Sequence, residues 1–394
     1  MQTTIHEAFR HRFGRAPEWL IRSPGRVALL GAHVDIQDGW VMPAAIERAI
    51  WLAAAPRTDR RLDLHALDLE DRATVDLDHL PSPVPTRTKP TAHWTDLPAG
   101  LARALESAGH TLLGLDAVYG GDLPSGAGVS SSAAVEMAFA VAWRAFVPSL
   151  ATAADLDLAQ AGRRCENDYL DVRSGIMDQI GCLSSRADHL LLVDCRSLAI
   201  EPIPCPAETA VVVFDSGVRR RLSDAGGFND RRAECTEAVA ILRRALPEIV
   251  NLRDVSTDQL RRHEHRLPDH LRRRARHTVE EIARVPTAAD ALRAGDLDAF
   301  GRAMLDSHRS SRDLFDVSIP ELDTLVEAAA VVPGCHGARL MGGGFGGCVA
   351  ALVDAAVVDT ITARVAETFA RAYGHPPKSF RSRFTDGARI VEQL

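Results

Sequence analysis

The chain has 394 residues, 46% of them hydrophobic, enough for a large core and more readily two domains than one. Its formal net charge is −7 and its arginines are scattered among acids, so nothing points to a nucleic-acid partner; the one dense basic run, Leu271 to His277, reads as a solvated helix face. Seven cysteines stand singly, without CxxC or Cys/His metal spacing, which fits free thiols in a reducing cytoplasm, and no apolar run reaches membrane-spanning length. Lysine occurs only at Lys89 and Lys378, neither in a glycine-rich motif, so no lysine offers itself for catalysis.

In chain order, residues 21–55 read as strand, turn and strand: "RVALL" is β-rich, "GAHVDIQDG" is loop-like and "IERAIWLAAAP" resumes the apolar pattern. The four prolines between His79 and Trp94 require an irregular connection. Apolar spacing predicts a helix from about Asp96 to Gly109. "DAVYGGDLP" is a strand entering a glycine-rich loop, followed by an apolar helix over 132–147 and another over about 153–171. Strands then cluster around a proline-marked joint near residue 205, which divides the chain into 1–205 and 206–394. The second part alternates amphipathic helices with strands and ends in "RLMGGGFGGCVAALV", a glycine-rich loop feeding a strand. Strands in adjacent groups and helices in runs make the class α+β.

The loop "LPSGAGVSSSAA", Leu123 to Ala134, suits an anion. A helix N-terminus offers unpaired N–H groups and about half a positive charge, so it binds phosphate without a lysine. Gly126 and Gly128 allow close backbone approach, and Ser130, Ser131 and Ser132 add hydroxyls for phosphate oxygens or a metal ion. On its own the pattern also fits a tight turn with a serine N-cap. The second loop, Met341 to Cys348, places five glycines around one phenylalanine.

Together these motifs resemble the GHMP kinases, and within them the galactokinases. "LPSGAGVSSSAA" and "GARLMGGGFGGC" match two family motifs, Gly25 to Ile46 matches the galactokinase signature, and "GIMDQ", Gly175 to Gln179, matches its catalytic segment. Shorter matches ("FNDRRAEC", "LRDV", "RRARH", "SHRSSRDLFDVSIPELD", "GHPP") carry the similarity almost end to end. The resemblance implies a two-domain kinase with its active site in the interdomain cleft, ATP and Mg²⁺ as cofactors, and a sugar 1-phosphate product. It implies a cytoplasmic monomer or weak dimer with no membrane or nucleic-acid partner. Gly126, Ala127, Gly128 and Ser130 to Ser132 would wrap the ATP phosphates, Trp94 would pack near adenine, and Ser132 with Glu166 would bind Mg²⁺. Asp178 would be the catalytic carboxylate, and Arg26 beside it would offset charge on the transferring phosphoryl group. His33, Asp35 and Gly175 would meet the sugar.

The chain departs from the galactokinase pattern at the sugar. Ala32 stands where the family has a glutamate near the C6 hydroxyl, and Phe228 where it has a sugar-facing tyrosine. Two lost hydrogen bonds, each worth about 0.5–1.5 kcal/mol, would weaken galactose binding by roughly tenfold or more. Arg173, where the family commonly has proline, and the run Arg219 to Arg221 could pair an anionic group. The expectation is therefore a galactose-like acceptor that is C6-altered, acidic or already phosphorylated at its far end. Ordinary galactokinase activity on D-galactose is the alternative. A non-catalytic sensor has no need to keep Arg26, Glu166 and Asp178 together.

Overall fold

A computed structural model describes residues 1–87, 92–124, 126–219 and 226–393, with the side chains of residues 226 and 228 left aside. Helix α1 (Gln2–Phe13) precedes the long hairpin of β1 (Trp19–Leu30) and β2 (Trp40–Pro56). A second hairpin, β3 (Arg61–Ala66) and β4 (Asp71–Asp76), leads through the proline-rich connection to α2 (Asp96–Ser107) and β5 (Leu115–Gly121). Then come α3 (Ser131–Phe146), α4 (Asp155–Arg164), α5 (Met177–Leu183), β6 (His189–Asp194) and β7 (Ile200–Pro204). The second half opens with β8 (Thr209–Asp215) and the helices α6 (Gly226–Leu242), α7 (Thr257–His263), α8 (Asp269–Arg293), α9 (Leu297–Asp313) and α10 (Pro320–Ala330). It closes with β9 (Cys335–Leu340), β10 (Cys348–Asp354), α11 (Val358–Tyr373), β11 (Lys378–Ser382), β12 (Phe384–Thr385) and β13 (Arg389–Gln393).

The strands form two sheets. The larger runs β13-β1-β2-β5-β3-β4, with β6, β7 and β12 attached through β2; the smaller runs β11-β8-β10-β9. The chain changes sheets between Pro204 and Thr209, and residues 384–393 return to the first sheet. Among the described residues every strand pairing is antiparallel except β3 with β5. This is the mixed α+β architecture expected, with one hairpin, β3–β4, beyond the strands named from the sequence.

Helix α3 explains its own composition. Ala133 through Trp143 are all buried, because the helix lies between the first sheet and its neighbours. Strand β8 has no exposed face: Val212 and Phe214 pack toward α6 and α10, while Val211 and Val213 join a core shared with β1, β2 and α8. That shared core seats the two halves on each other. The strand register slips between Pro24 and Arg26, and again between Ala28 and Leu30. Such irregularities re-aim side chains, and here they flank Arg26 at the rim of the cleft.

Candidate active site

The cleft holds a cavity of about 650 Å³. Among the described residues its walls come from Arg26 on β1, His33 and Asp35 just after it, residues 126–132, residues 166–178, Arg219, and the loop 341–347.

Asp178 sits in the first turn of α5, and Arg26 crosses to it from β1. The Arg26 side chain is 2% exposed; its Nε and Nη2 both donate to Asp178 Oδ1, at 2.9 and 2.7 Å. Arg26 Nη1 donates to the Gly128 carbonyl at 2.6 Å, so one guanidinium ties the carboxylate to the glycine loop. Helix α5 comes this close because residue 175 is glycine. A Cβ there would lie 2.1 Å from Asp35 Oδ2. Burial, and next the charge of Asp178, push the Asp35 carboxyl up to about 6, against backbone N–H bonds from Ile36 and Met177.

The two glycine loops touch. Gly128 has φ 79°, and a Cβ on Gly342 would lie 2.9 Å from the Gly128 Cα. Ser130 takes a left-handed φ of 59° and α3 starts at Ser131, so its N-terminal N–H groups open toward the cavity wall formed by Ser131 and Ser132. Glu166 lies in a single π-helical turn, Cys165–Tyr169, a distortion that often marks functional positions. The Glu166 carboxylate is buried, accepts from Ser132 Oγ at 3.3 Å, and accepts a short bond from Ser174 Oγ. Burial first, then Asp178, push it up to about 7. Behind it Gln179 donates to the fully buried Glu136 at 3.1 Å. A buried carboxylate with hydroxyl neighbours and too little positive charge is an oxygen donor set that suits Mg²⁺.

The loop after β1 is held from the other half of the molecule. Glu281 Oε1, on α8, accepts from the backbone N–H of Gly31 and Ala32 at 2.9 and 3.0 Å and from Ser307 Oγ at 2.6 Å. His277, one turn earlier, contacts the Ala32 carbonyl through Nε2 at 3.1 Å. The His33 ring lies 4.9 Å from that of Phe315.

Of the remaining expected residues that the structure describes, Arg219 alone lines the cavity. Ala32 is buried and its backbone is fully engaged by Glu281 and His277; it is not part of the cavity wall, so no apolar hole opens there. Arg173 is 61% exposed and faces solvent beside Asp171. Arg219 does line the cavity, yet both its terminal nitrogens bond Asp215 at 2.6 Å. Trp94 is half-buried outside the cavity wall, with its indole N–H on Asp71 at 2.7 Å and its ring 6.0 Å from that of Tyr119. The Phe228 side chain, Arg220 and Arg221 lie outside the described residues. Sequence reasoning missed Ser174, Glu136 and Glu281. Of these only Glu281 had a signal, its i,i+4 spacing from His277 on one helix face.

Residues 7–56 match the galactokinase galactose-binding signature, 96–186 the GHMP kinases N terminal domain and 288–371 the GHMP kinases C terminal region. The chain is 43% identical to a galactokinase of Roseiflexus sp. (strain RS-1), covering 98% of this chain and 96% of that one. It is 42% identical to a galactokinase of Chloroflexus aggregans, covering 93% and 92%. Among solved structures, Lactococcus lactis galactokinase complexed with galactose superposes with a TM-score of 0.91 at 30% identity, over 100% and 99% of the two chains.

Proposed function

The chain belongs to the galactokinase family of GHMP kinases and is an ATP-dependent sugar 1-kinase, and from that premise we propose that its acceptor is D-galactose itself. The observation that carries this reading is the intact acceptor end of the cavity, where Asp35 and His33 face the same space as Asp178. The case for a C6-altered or anionic acceptor rested on Ala32, Phe228, Arg173 and the run Arg219 to Arg221. Ala32 opens no space, Arg173 points into solvent and Arg219 is taken up by Asp215, so nothing in the described wall favours it.

In this reading Asp35 and His33 receive the ring hydroxyls. Asp178 accepts the proton of the C1 hydroxyl as that oxygen attacks the γ-phosphate of ATP. Both Arg26 donors bond Oδ1, which leaves Oδ2 for the acceptor hydroxyl. The glycine loop and the N-terminus of α3 cradle the phosphates. Ser132 and Glu166 would hold Mg²⁺, which when bound supplies positive charge to the phosphate oxygens. Glu166→Gln and Ser132→Ala should each raise the Mg²⁺ concentration needed for half-maximal rate and weaken Mn²⁺ binding to the ATP complex, followed by electron paramagnetic resonance. Unchanged metal affinity in both variants would move the metal elsewhere.

The test of the acceptor is kcat/KM across a sugar panel. Galactose should exceed galacturonate, galactosamine and C6-extended analogues; an analogue that clearly outperforms galactose overturns the proposal. The raised Asp35 carboxyl adds a pH signature. Its ionised form accepts the ring hydroxyls, so galactose affinity should be full above about pH 6 and fall up to tenfold per unit below it. The unliganded protein should show the opposite sense. A carboxyl raised in the fold contributes stability at low pH that is lost as pH rises through about 6. Asp35→Asn should remove both dependences; calorimetry at pH 5 and 7.5 reads the first and thermal denaturation the second.

A further inference from the structure

Beside the acceptor end of the cavity, three arginines converge from three separate elements. Arg163 stands in the last turn of α4, Arg173 in the loop before α5, and Arg232 near the start of α6. Arg232 Nη1 donates to the Arg173 carbonyl at 2.7 Å and to Asn167 Oδ1 at 3.4 Å. Asn167 Nδ2 in turn donates to the carbonyls of Arg163 and Ser174, at 3.0 Å each. One asparagine and one guanidinium therefore knit the three backbones into a single surface.

The charge of this surface is not balanced. The carboxylate nearest Arg173 is the exposed Asp171, at 4.0 Å. Arg163 and Arg232 form no ion pair with a carboxylate among the described residues. Arg232 is half-buried; burial, then Arg163 and Arg173, push its pKa down, and Asp35 only partly opposes them. Three like charges held together against only the exposed Asp171 and the shared Asp35 leave an excess of positive charge that an anion would relieve. The surface borders the cavity, since Val172, Ser174 and Gly175, which flank and follow Arg173, line its wall. It lies at the Asp35 end, whose charge reaches Arg232.

We propose that Arg163, Arg173 and Arg232 form a phosphate-binding site at the rim of the acceptor end. Phosphate is the fitting class because a dianion with three oxygens can accept from three guanidinium forks at once, whereas one carboxylate satisfies one fork. The exposed Arg173 head group is held only by the exposed Asp171 at 4.0 Å and can turn onto the ligand. The phosphate is either free inorganic phosphate or the far-end phosphate of a sugar seated at Asp35. Only the second source rests on the reading of that end as the acceptor site.

The test uses the full chain saturated with Mg²⁺ and a non-hydrolysable ATP analogue, so that the glycine loop is filled. Inorganic phosphate and galactose 6-phosphate are titrated separately by calorimetry, into the wild type and into Arg163→Ala/Arg173→Ala. Both arginines are exposed, so the double variant should fold, and its melting curve checks that. The expected result is saturable binding of at least one probe to the wild type, weakened tenfold or more in the variant and restored in part by lowering the ionic strength. Binding of galactose 6-phosphate that galactose displaces assigns the sugar-borne source; binding of inorganic phosphate indifferent to galactose assigns the free one. No binding of either probe to the wild type, or equal binding to the variant, overturns the proposal. Galactose binding by the wild type reads the acceptor site separately, so its failure is distinguishable from failure here.

Discussion

Asp178→Asn should abolish phosphoryl transfer while ATP and galactose still bind. Among the described residues three carboxylates line the cavity, and their surroundings separate their tasks. Asp35 is pushed up to about 6 and Glu166 to about 7, each by burial and by Asp178. Neither has a cation bonded to it. Asp178 alone is gripped by a buried guanidinium, with one oxygen left over. Asparagine keeps the shape and can still accept from Arg26 through its carbonyl oxygen, so the cavity wall should persist. It cannot take the proton of the attacking hydroxyl. The loss should be at least the roughly 10²–10⁴-fold typical of a removed general base. Single-turnover transfer from labelled ATP measures the chemistry, and calorimetry measures both ligands. A variant that turns over within tenfold of wild type would sink the assignment and leave Asp178 as a helix cap.

How much of this was legible in the chain follows from where each interaction lies. The hairpin of β1 and β2, helix α2, strand β5 and helix α3 are each written in local apolar periodicity and turn residues, and they appear within a few residues of where the sequence places them. The hairpin β3–β4 is half-written there too: Leu62, Leu64 and Ala66 of β3 alternate with Arg61, Asp63 and His65, whereas β4 carries one buried residue, Val75, and no clear alternation. Glu166 looked like a surface helix acid. Only the π turn after α4 and the packing of Ser174 against it carry that side chain inward. Arg173 beside "GIMDQ" looked like part of the site, yet adjacency in sequence placed its carbonyl near the cavity and its head group in solvent. Ala32 is the sharpest case. Side-chain comparison predicts a hole there, whereas the structure engages its peptide group with Glu281, 249 residues away. A contact of that range leaves no local trace.

That contact carries the second large prediction. Glu281→Ala should destabilise the protein by about 3–5 kcal/mol, the range for removing one partner of a buried ion pair. Burial alone would raise the Glu281 carboxyl, but Arg284 and Arg339, with His277 and Ser307 behind them, hold it below the ordinary range. Removing it leaves Arg339 buried without its counter-charge and strips the Gly31 and Ala32 N–H groups of their acceptor. The consequence for function is local. The loop after β1 carries His33 and Asp38 at φ 56° each, conformations that non-glycine residues hold only when their surroundings enforce them. Without Glu281 that enforcement weakens at His33 and Asp35, where the proposed acceptor site lies, while the glycine-loop end keeps its own support from Arg26. The variant should therefore raise KM for galactose severalfold or more, with KM for ATP little changed, at a temperature well below its lowered Tm. Glu281→Gln should recover part of the galactose KM, because its carbonyl oxygen can still accept from Gly31 and Ala32, but little of the stability, because the charge opposite Arg284 and Arg339 is gone. Equal rises in both KM values would mean that Glu281 supports the fold at large and does not hold the sugar loop in particular.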